Sequence, residues 1–422
     1  MKQIEVPYGN GYQRAKLPET IPVQVIDLEC PPFEVPVETL IEDALDHPIG
    51  TPKLETMVQP CDHVVIVIND QTRPGPNSEM ASALITRLER AGVPDENISF
   101  LIATGSHRAP TSQELEHIIG KDLLKRIPVA VHDCKRNNVH VGDTGEGMPV
   151  YVDRLVAEAS FVITTGLIAP HKAAGFSGGR KSIVPGVAGM ETLRIHHSLP
   201  IRPYEPALGW YEENPFHRAA LEAARKVKVR FMINAVQDGA KQNVAVVAGD
   251  LDLAHREGVR ISRLHNTVEC DRRGDLVITS PGGTPRDCNL YQGQKALATG
   301  EMFAEQSGPV TMILVARAED GIGPELFQQW LMEGESPDDV IERFRREGFD
   351  VGTNKAFEYA RALKKGRVII VSENVDPERI RRMKLEWASS LQEAVDMALE
   401  RHIPEQVIVL PRAVTMIPHF RG

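Results

Sequence analysis

Short apolar runs rich in Val, Ile and Leu punctuate the chain at 64–68, 98–103, 161–165, 276–279, 310–316, 368–371 and 407–410. Their length and β-branched content predict strands, and their near-continuous apolarity predicts strands buried on both faces. Between them lie stretches with apolar residues at helical spacing, such as 79–91, 215–227 and 337–346. Strands alternating with helices form parallel sheets, so the expected fold class is α/β. A helical stretch at 251–264, the charged segment CDRRGD at 270–275 and a fresh strand mark a break. The expected domains are 1–270, carrying the cofactor loop and histidines, and 271–405, closing over the substrate. Each has a mostly parallel sheet flanked by helices, with the active site in the cleft between them. Segment 406–422 is expected to form a strand and tail packing back on the first domain.

In open parallel sheets, ligands bind outside the carboxyl ends of the strands. Here those ends carry the polar residues. Strand 64–68 runs into Asn69-Asp70-Gln71-Thr72-Arg73-Pro74, and strand 98–103 into Thr104-Gly105-Ser106-His107-Arg108. Strand 161–165 runs into Gly166, then Pro170-His171 and the loop GFSGGRKS at 175–182. Taken singly, Asp70 and Thr72 are also what a turn or helix cap needs. Taken together, an acid, two arginines and two histidines reach one sheet edge.

The loop 175–182 reads as an anion cradle. Glycines let backbone N–H groups point inward, a following helix start favours negative charge, and Arg180 and Lys181 add cations. It is not a P-loop, because Arg180 stands where that motif needs Gly and Pro185-Gly186 follow too soon for its long helix. Phosphate binding is therefore expected and ATP hydrolysis is not. His196-His197 ends a short helical stretch, where neighbours diverge and at most one faces a site. An imidazole there suits nickel or zinc. Tyr291 and Lys295, four apart in NLYQGQK (289–295), share a helix face suited to a carboxylate, or simply to solvent.

Composition narrows the class. At 422 residues the chain exceeds one typical core, in line with two domains. A net charge of −10 disfavours a nucleic-acid partner. No apolar run approaches the roughly 18 residues of a membrane span, so no membrane partner is expected. The five cysteines form no CxxC pair, and the N-terminal MKQIEVPYGNGYQ lacks a signal-peptide core. A reducing, cytoplasmic setting is the expectation.

DQTRP, ATGSHR, HKAAGFSGGRKSIVPG, the histidine pair and NLYQGQK stand in an order that resembles the lactate racemase family. The likeness extends from VPYG to VSENVDP at 371–377. It implies a nickel-pincer nucleotide cofactor, a pyridinium-3,5-bisthiocarboxylic acid mononucleotide made by separate biosynthetic proteins and absent if they are. By resemblance, Lys181 forms a covalent thioamide link to it and His197 ligates the nickel. Asp70, Thr72, Arg73, Ser177, Gly178 and Gly179 would line the cofactor and its phosphate. His107 and His171 would be the paired acid/base groups of a 2-hydroxy acid racemase acting by reversible hydride transfer. Arg73, Lys172, Tyr291, Gln292 and Lys295 would contact the substrate.

Some positions depart from an enzyme fitted to lactate. Ser106, Lys172-Ala173 and the segment 352–355 stand where the family leads one to expect aromatic residues, including a tryptophan. The pocket is expected to be roomier and more polar, and the substrate a larger or dicarboxylic 2-hydroxy acid such as malate. The alternatives are a lactate racemase proper, a phosphate- or nucleotide-binding transferase without nickel, and a non-catalytic cofactor carrier.

Overall fold

The apolar runs at 64–68, 98–103 and 161–165 form Val64–Asn69, Ile98–Ala103 and Phe161–Ile168, neighbours in a six-stranded sheet. Its order is Asn243–Gly249, Val229–Gln237, Phe161–Ile168, Val64–Asn69, Ile98–Ala103, Val129–Val131. All pairings are parallel except that of the edge strand Asn243–Gly249. The chain leaves Val64–Asn69 in one direction and later returns on its other side. The sheet's switch point therefore lies between Val64–Asn69 and Phe161–Ile168, where parallel sheets bind ligands. Helix Asn77–Arg90 buries Met80, Ala81, Leu84, Ile85 and Leu88 against Ile66, Phe100 and Ile163. That spacing of i, i+4 and i, i+3 is the amphipathic stripe read from the sequence.

This computed structural model describes residues 1–421, which divide into two compact units. One comprises Cys30–Pro203 and Gly209–His265. The other joins Met1–Glu29 and Tyr204–Leu208 to the chain from Asn266 onward. Its six-stranded sheet, Glu386–Ala388, Arg367–Val371, Thr311–Val315, Leu276–Thr279, Val407–Leu410, Val23–Val25, is parallel throughout. No helix among the described residues is long and apolar enough to cross a membrane.

The division corrects the expected boundaries at both ends. Residues 1–29 belong with the C-terminal unit, because Val23–Val25 pairs with Val407–Leu410 and Ile4, Val6, Tyr8, Leu17 and Ile21 fill that unit's core. Segment 406–422 stays in the same unit. Its run VIVL is buried along its length, which requires a neighbour on each side, and Leu276–Thr279 and Val23–Val25 are those neighbours. Ile417–Phe420 then pairs with Thr267–Cys270.

Candidate active site

Three strand ends of the first unit supply the site. After Val64–Asn69 the chain turns back, with Arg73 N–H donating to Asp70 O at 3.1 Å, and Asp70 becomes buried. Its Oδ1 accepts the Thr72 hydroxyl at 2.6 Å, and its Oδ2 lies 2.7 Å from His107 Nδ1. A carboxylate only accepts, so Nδ1 carries hydrogen and the His107 lone pair sits on Nε2. Burial pushes the Asp70 carboxyl up, but hydrogen bonds from His107 and Thr72 outweigh it and leave the group below its usual range. The His107 side chain remains about half exposed, at 48%. Its loop is anchored by Gly105 N–H to Gly186 O at 2.9 Å.

Arg73 folds over this turn, its Nη1 donating to Thr72 O and Oγ1 at 3.1 and 3.2 Å. The second arginine expected at this edge does not join it. Arg108 turns outward into a two-pronged pair with Glu114, at 2.7 and 2.6 Å.

His171 opens a two-residue ladder in which Pro170 and His171 face Phe176 and Gly175. Its Nδ1 accepts from the backbone N–H groups of Ala173 and Ala174 at 3.2 and 3.0 Å. Its Nε2 lies 3.1 Å from Lys181 Nζ. Burial above all, then the charges of Lys181, Arg73, Lys172 and Arg202, hold the His171 imidazole well below its usual range. Lys181 is held well below the usual ammonium range by burial, then by Arg73, Arg180 and Arg202.

The glycine loop is tied from beneath. Gly178 and Gly179 have φ of +78° and +54°, and a Cβ on Gly178 would stand 2.4 Å from Asn234 Oδ1. Gly179 N–H donates to Asn234 Oδ1 at 2.7 Å, and Ser177 Oγ donates to Leu167 O at 2.6 Å. Ser177 and Gly179 thus hold the loop's own shape with the groups expected to cradle an anion. Arg180 is corrected outright. It is 1% exposed and donates to Ala174 O and Gly178 O at 2.9 and 3.2 Å, so it braces the loop from the interior. His255 does the same from helix Leu253–Asn266. Its Nε2 lies 2.8 Å from Ser177 O and 3.0 Å from Arg180 Nη1, and its Nδ1 lies 2.7 Å from the Tyr211 hydroxyl.

The two histidines of the pair differ in their surroundings. His196 is buried with Nε2 2.9 Å from Phe216 O, and burial lowers it to about 3. His197 Nδ1 lies 3.2 Å from Leu193 O, a contact that places hydrogen on Nδ1 and the lone pair on Nε2. Phe216 lies under both imidazoles, and Lys181 Nζ is 5.7 Å from its ring centre. Among the described residues, no three His, Cys, Asp or Glu converge into a metal site.

In the other unit, Asn289 caps helix Leu290–Phe303 by accepting Gln292 N–H at 2.9 Å, so Tyr291, Gln292 and Lys295 all lie in its first two turns. Lys355, in the segment without the expected tryptophan, is buried. It donates to Gln294 Oε1 at 2.9 Å and pairs with Glu358 at 3.3 Å, with Nζ 5.1 Å from the Tyr291 ring centre.

Sequence reading missed Arg202, Asn234, Tyr211, His255 and Phe216. Asn234 carried a signal, a polar residue amid the apolar strand Val229–Gln237. Arg202 carried none.

Known proteins resemble this chain along nearly its whole length. Residues 8–208 match the model of the lactate racemase N-terminal domain, and 269–418 that of the lactate racemase C-terminal domain. The chain is 32% identical to a lactate racemase of Thermoanaerobacterium thermosaccharolyticum, covering 99% of both chains. It is 35% identical to one of Lactiplantibacillus plantarum, covering 89% of this chain and 90% of that one. The solved apoprotein from T. thermosaccharolyticum superposes with a TM-score of 0.87 at 31% identity, over 99% of this chain and all of that one.

Proposed function

The chain belongs to the lactate racemase family, and from that premise we propose that it interconverts the enantiomers of a 2-hydroxy acid in the cytoplasm, using a nickel-pincer nucleotide. One observation carries the reading. Arg73, which folds over the turn beside Asp70, also acts with Arg202 on a second imidazole and a lysine, His171 and Lys181, and Lys172 adds its charge at His171, in a chain of net charge −10. Such a concentration of cations calls for a ligand with more than one negative charge.

The residues present fit the implied group. Lys181 presents an amine at the site, the lone pair of His197 Nε2 suits nickel, and Arg73 with Thr72 suits a phosphate. When bound, such a cofactor would supply a reversible hydride acceptor, sparing the site a carbanion that imidazole is too weak a base to generate. The chain's own residues handle the proton. His107, oriented by Asp70, takes the hydroxyl proton at Nε2 from one enantiomer. His171 serves the opposite enantiomer. Tyr291, Gln292 and Lys295 are proposed to hold the substrate carboxylate.

The substrate is proposed to be dicarboxylic, with malate the candidate. Lys172 is partly buried and its charge acts on His171, a cation beyond what one carboxylate needs. The test uses protein produced with the cofactor-making enzymes. Intact mass should show an adduct at Lys181 with about one nickel per chain. Both enantiomers of malate should racemise, and Lys172→Ala should raise the malate KM about tenfold. An unmodified Lys181 without nickel rejects the class, and fast lactate turnover with none on malate rejects the substrate.

A further inference from the structure

His171 and Lys181 are joined in a way that acid/base catalysis by His171 does not explain. The Nδ1 of His171 faces two backbone N–H donors, so it carries a lone pair and no hydrogen. A neutral imidazole has one ring hydrogen, which is then on Nε2, directed at Lys181 Nζ 3.1 Å away. An ammonium has three donors and no lone pair, and could not accept it. Proton exchange at Nε2, which turnover requires, needs hydrogen on Nδ1 in both the acid and base forms. The arrangement seen is therefore suited to an earlier task.

We propose that, before cofactor attachment, His171 holds Lys181 as a neutral amine with its lone pair presented in the site, making Lys181 a nucleophile acylated at neutral pH. The groups acting on the pair are Arg73, Lys172, Arg180 and Arg202, with His196 and His197 alongside, and no carboxylate is among them. Burial and these charges push both groups toward their neutral forms, in agreement with the hydrogen-bond geometry. The Phe216 ring, 5.7 Å from Nζ, offers an ammonium a π-face attraction that burial and the neighbouring cations outweigh. Reaction of the amine with an activated acyl carbon forms a C–N bond, breaks the bond from that carbon to its leaving group, sends the amine proton to solvent, and leaves an amide-type nitrogen without a basic lone pair. The His171–Lys181 hydrogen bond is then lost, which frees Nε2; its use as a base further requires Nδ1 to turn away from the Ala173 and Ala174 donors and take up the hydrogen. The inference rests on the family reading only for the identity of the natural acyl donor.

The test uses the full chain made without cofactor and acetylated with sulfo-N-hydroxysuccinimide acetate between pH 6 and 9. The amine forms a C–N bond to the acetyl carbon, the ester C–O bond breaks, N-hydroxysulfosuccinimide leaves, and the amine proton passes to solvent. Peptide mass spectrometry reads Lys181 against Lys121, whose side chain is 73% exposed. Lys181 should modify at least tenfold faster than Lys121 at pH 7, with a pH profile displaced to lower pH. His171→Leu should lose most of that advantage, and His171→Gln, whose amide N–H can replace the donor, should restore it. Thermal unfolding of each variant controls for folding. An ordinary lysine profile at Lys181, or His171→Leu indistinguishable from the parent, overturns the proposal. If the probe fails while cofactor-loaded protein still carries its Lys181 adduct, this inference falls and the proposed function stands. If no adduct forms under loading conditions, the proposed function falls separately.

Discussion

At the scale of single residues, the site depends on which ring nitrogen each histidine exposes. Asp70 fixes this for His107 by accepting the Nδ1 hydrogen. Because its folded pKa is lowered, its stabilising contribution is present above the ordinary carboxylate value of about 3.9 and fades as pH falls through the lower folded value. Near neutrality Asp70 is therefore a full anion. Asp70→Asn keeps the shape but removes the counter-charge for the imidazolium that the proposed mechanism forms at His107. Its kcat should fall roughly 100-fold with little change in KM, and the acid limb of the rate profile should move to lower pH. Steady-state kinetics across pH checks this; unchanged kcat would remove Asp70 from the mechanism. His107, His171 and Lys181 stand out in the sequence as candidates because they sit in glycine-rich segments directly after apolar strands. Arg202 was not, since it follows no strand and reaches the site only through the fold.

At the scale of elements, the glycine loop is held by neighbours distant in sequence. Asn234 lies opposite Gly166 in the sheet register, and a Cβ on Gly166 would stand 3.1 Å from its Oδ1, so the small residue makes room for the amide. That amide in turn accepts Gly179 N–H. Asn234→Ala leaves a buried N–H without its acceptor and should cost about 1–3 kcal/mol. Denaturant unfolding should show a lower midpoint at an unchanged slope, and a loss below about 0.5 kcal/mol would count against the contact. The sequence suggested that loop N–H groups and Arg180 would grip an anion. It could not show that Arg180 turns inward or that Asn234 occupies Gly179, because periodicity marks which segments are strands but not which distant side chains lie beneath their loops.

At the scale of the whole molecule, the parallel C-terminal unit is completed by the start of the chain. The expected boundary near 270 assigned residues 1–29 by sequence order, and a short strand such as Val23–Val25 has too weak a pattern to reveal its partner. Its pairing with Val407–Leu410 closes one sheet edge, and Ile4, Val6, Tyr8, Leu17 and Ile21 cover that core. Polar ties add to this. Gly9 N–H donates to Asp287 Oδ2 at 2.7 Å, Ser280 Oγ to Pro7 O at 2.6 Å, and Glu373 N–H to Tyr8 Oη at 2.9 Å. Fully burying a large apolar side chain stabilises by roughly 1.5–3 kcal/mol, so these five together rival the 5–15 kcal/mol by which a typical domain is folded. A chain beginning at residue 30 should therefore lose the C-terminal unit, with rapid proteolysis between 266 and 421, while 30–203 and 209–265 retain protection. Fusing 1–29 ahead of 266–421 should restore a cooperative transition to that unit. A truncated chain whose 266–421 region resists protease as well as the parent would show that the N-terminal segment only decorates a sheet stable without it.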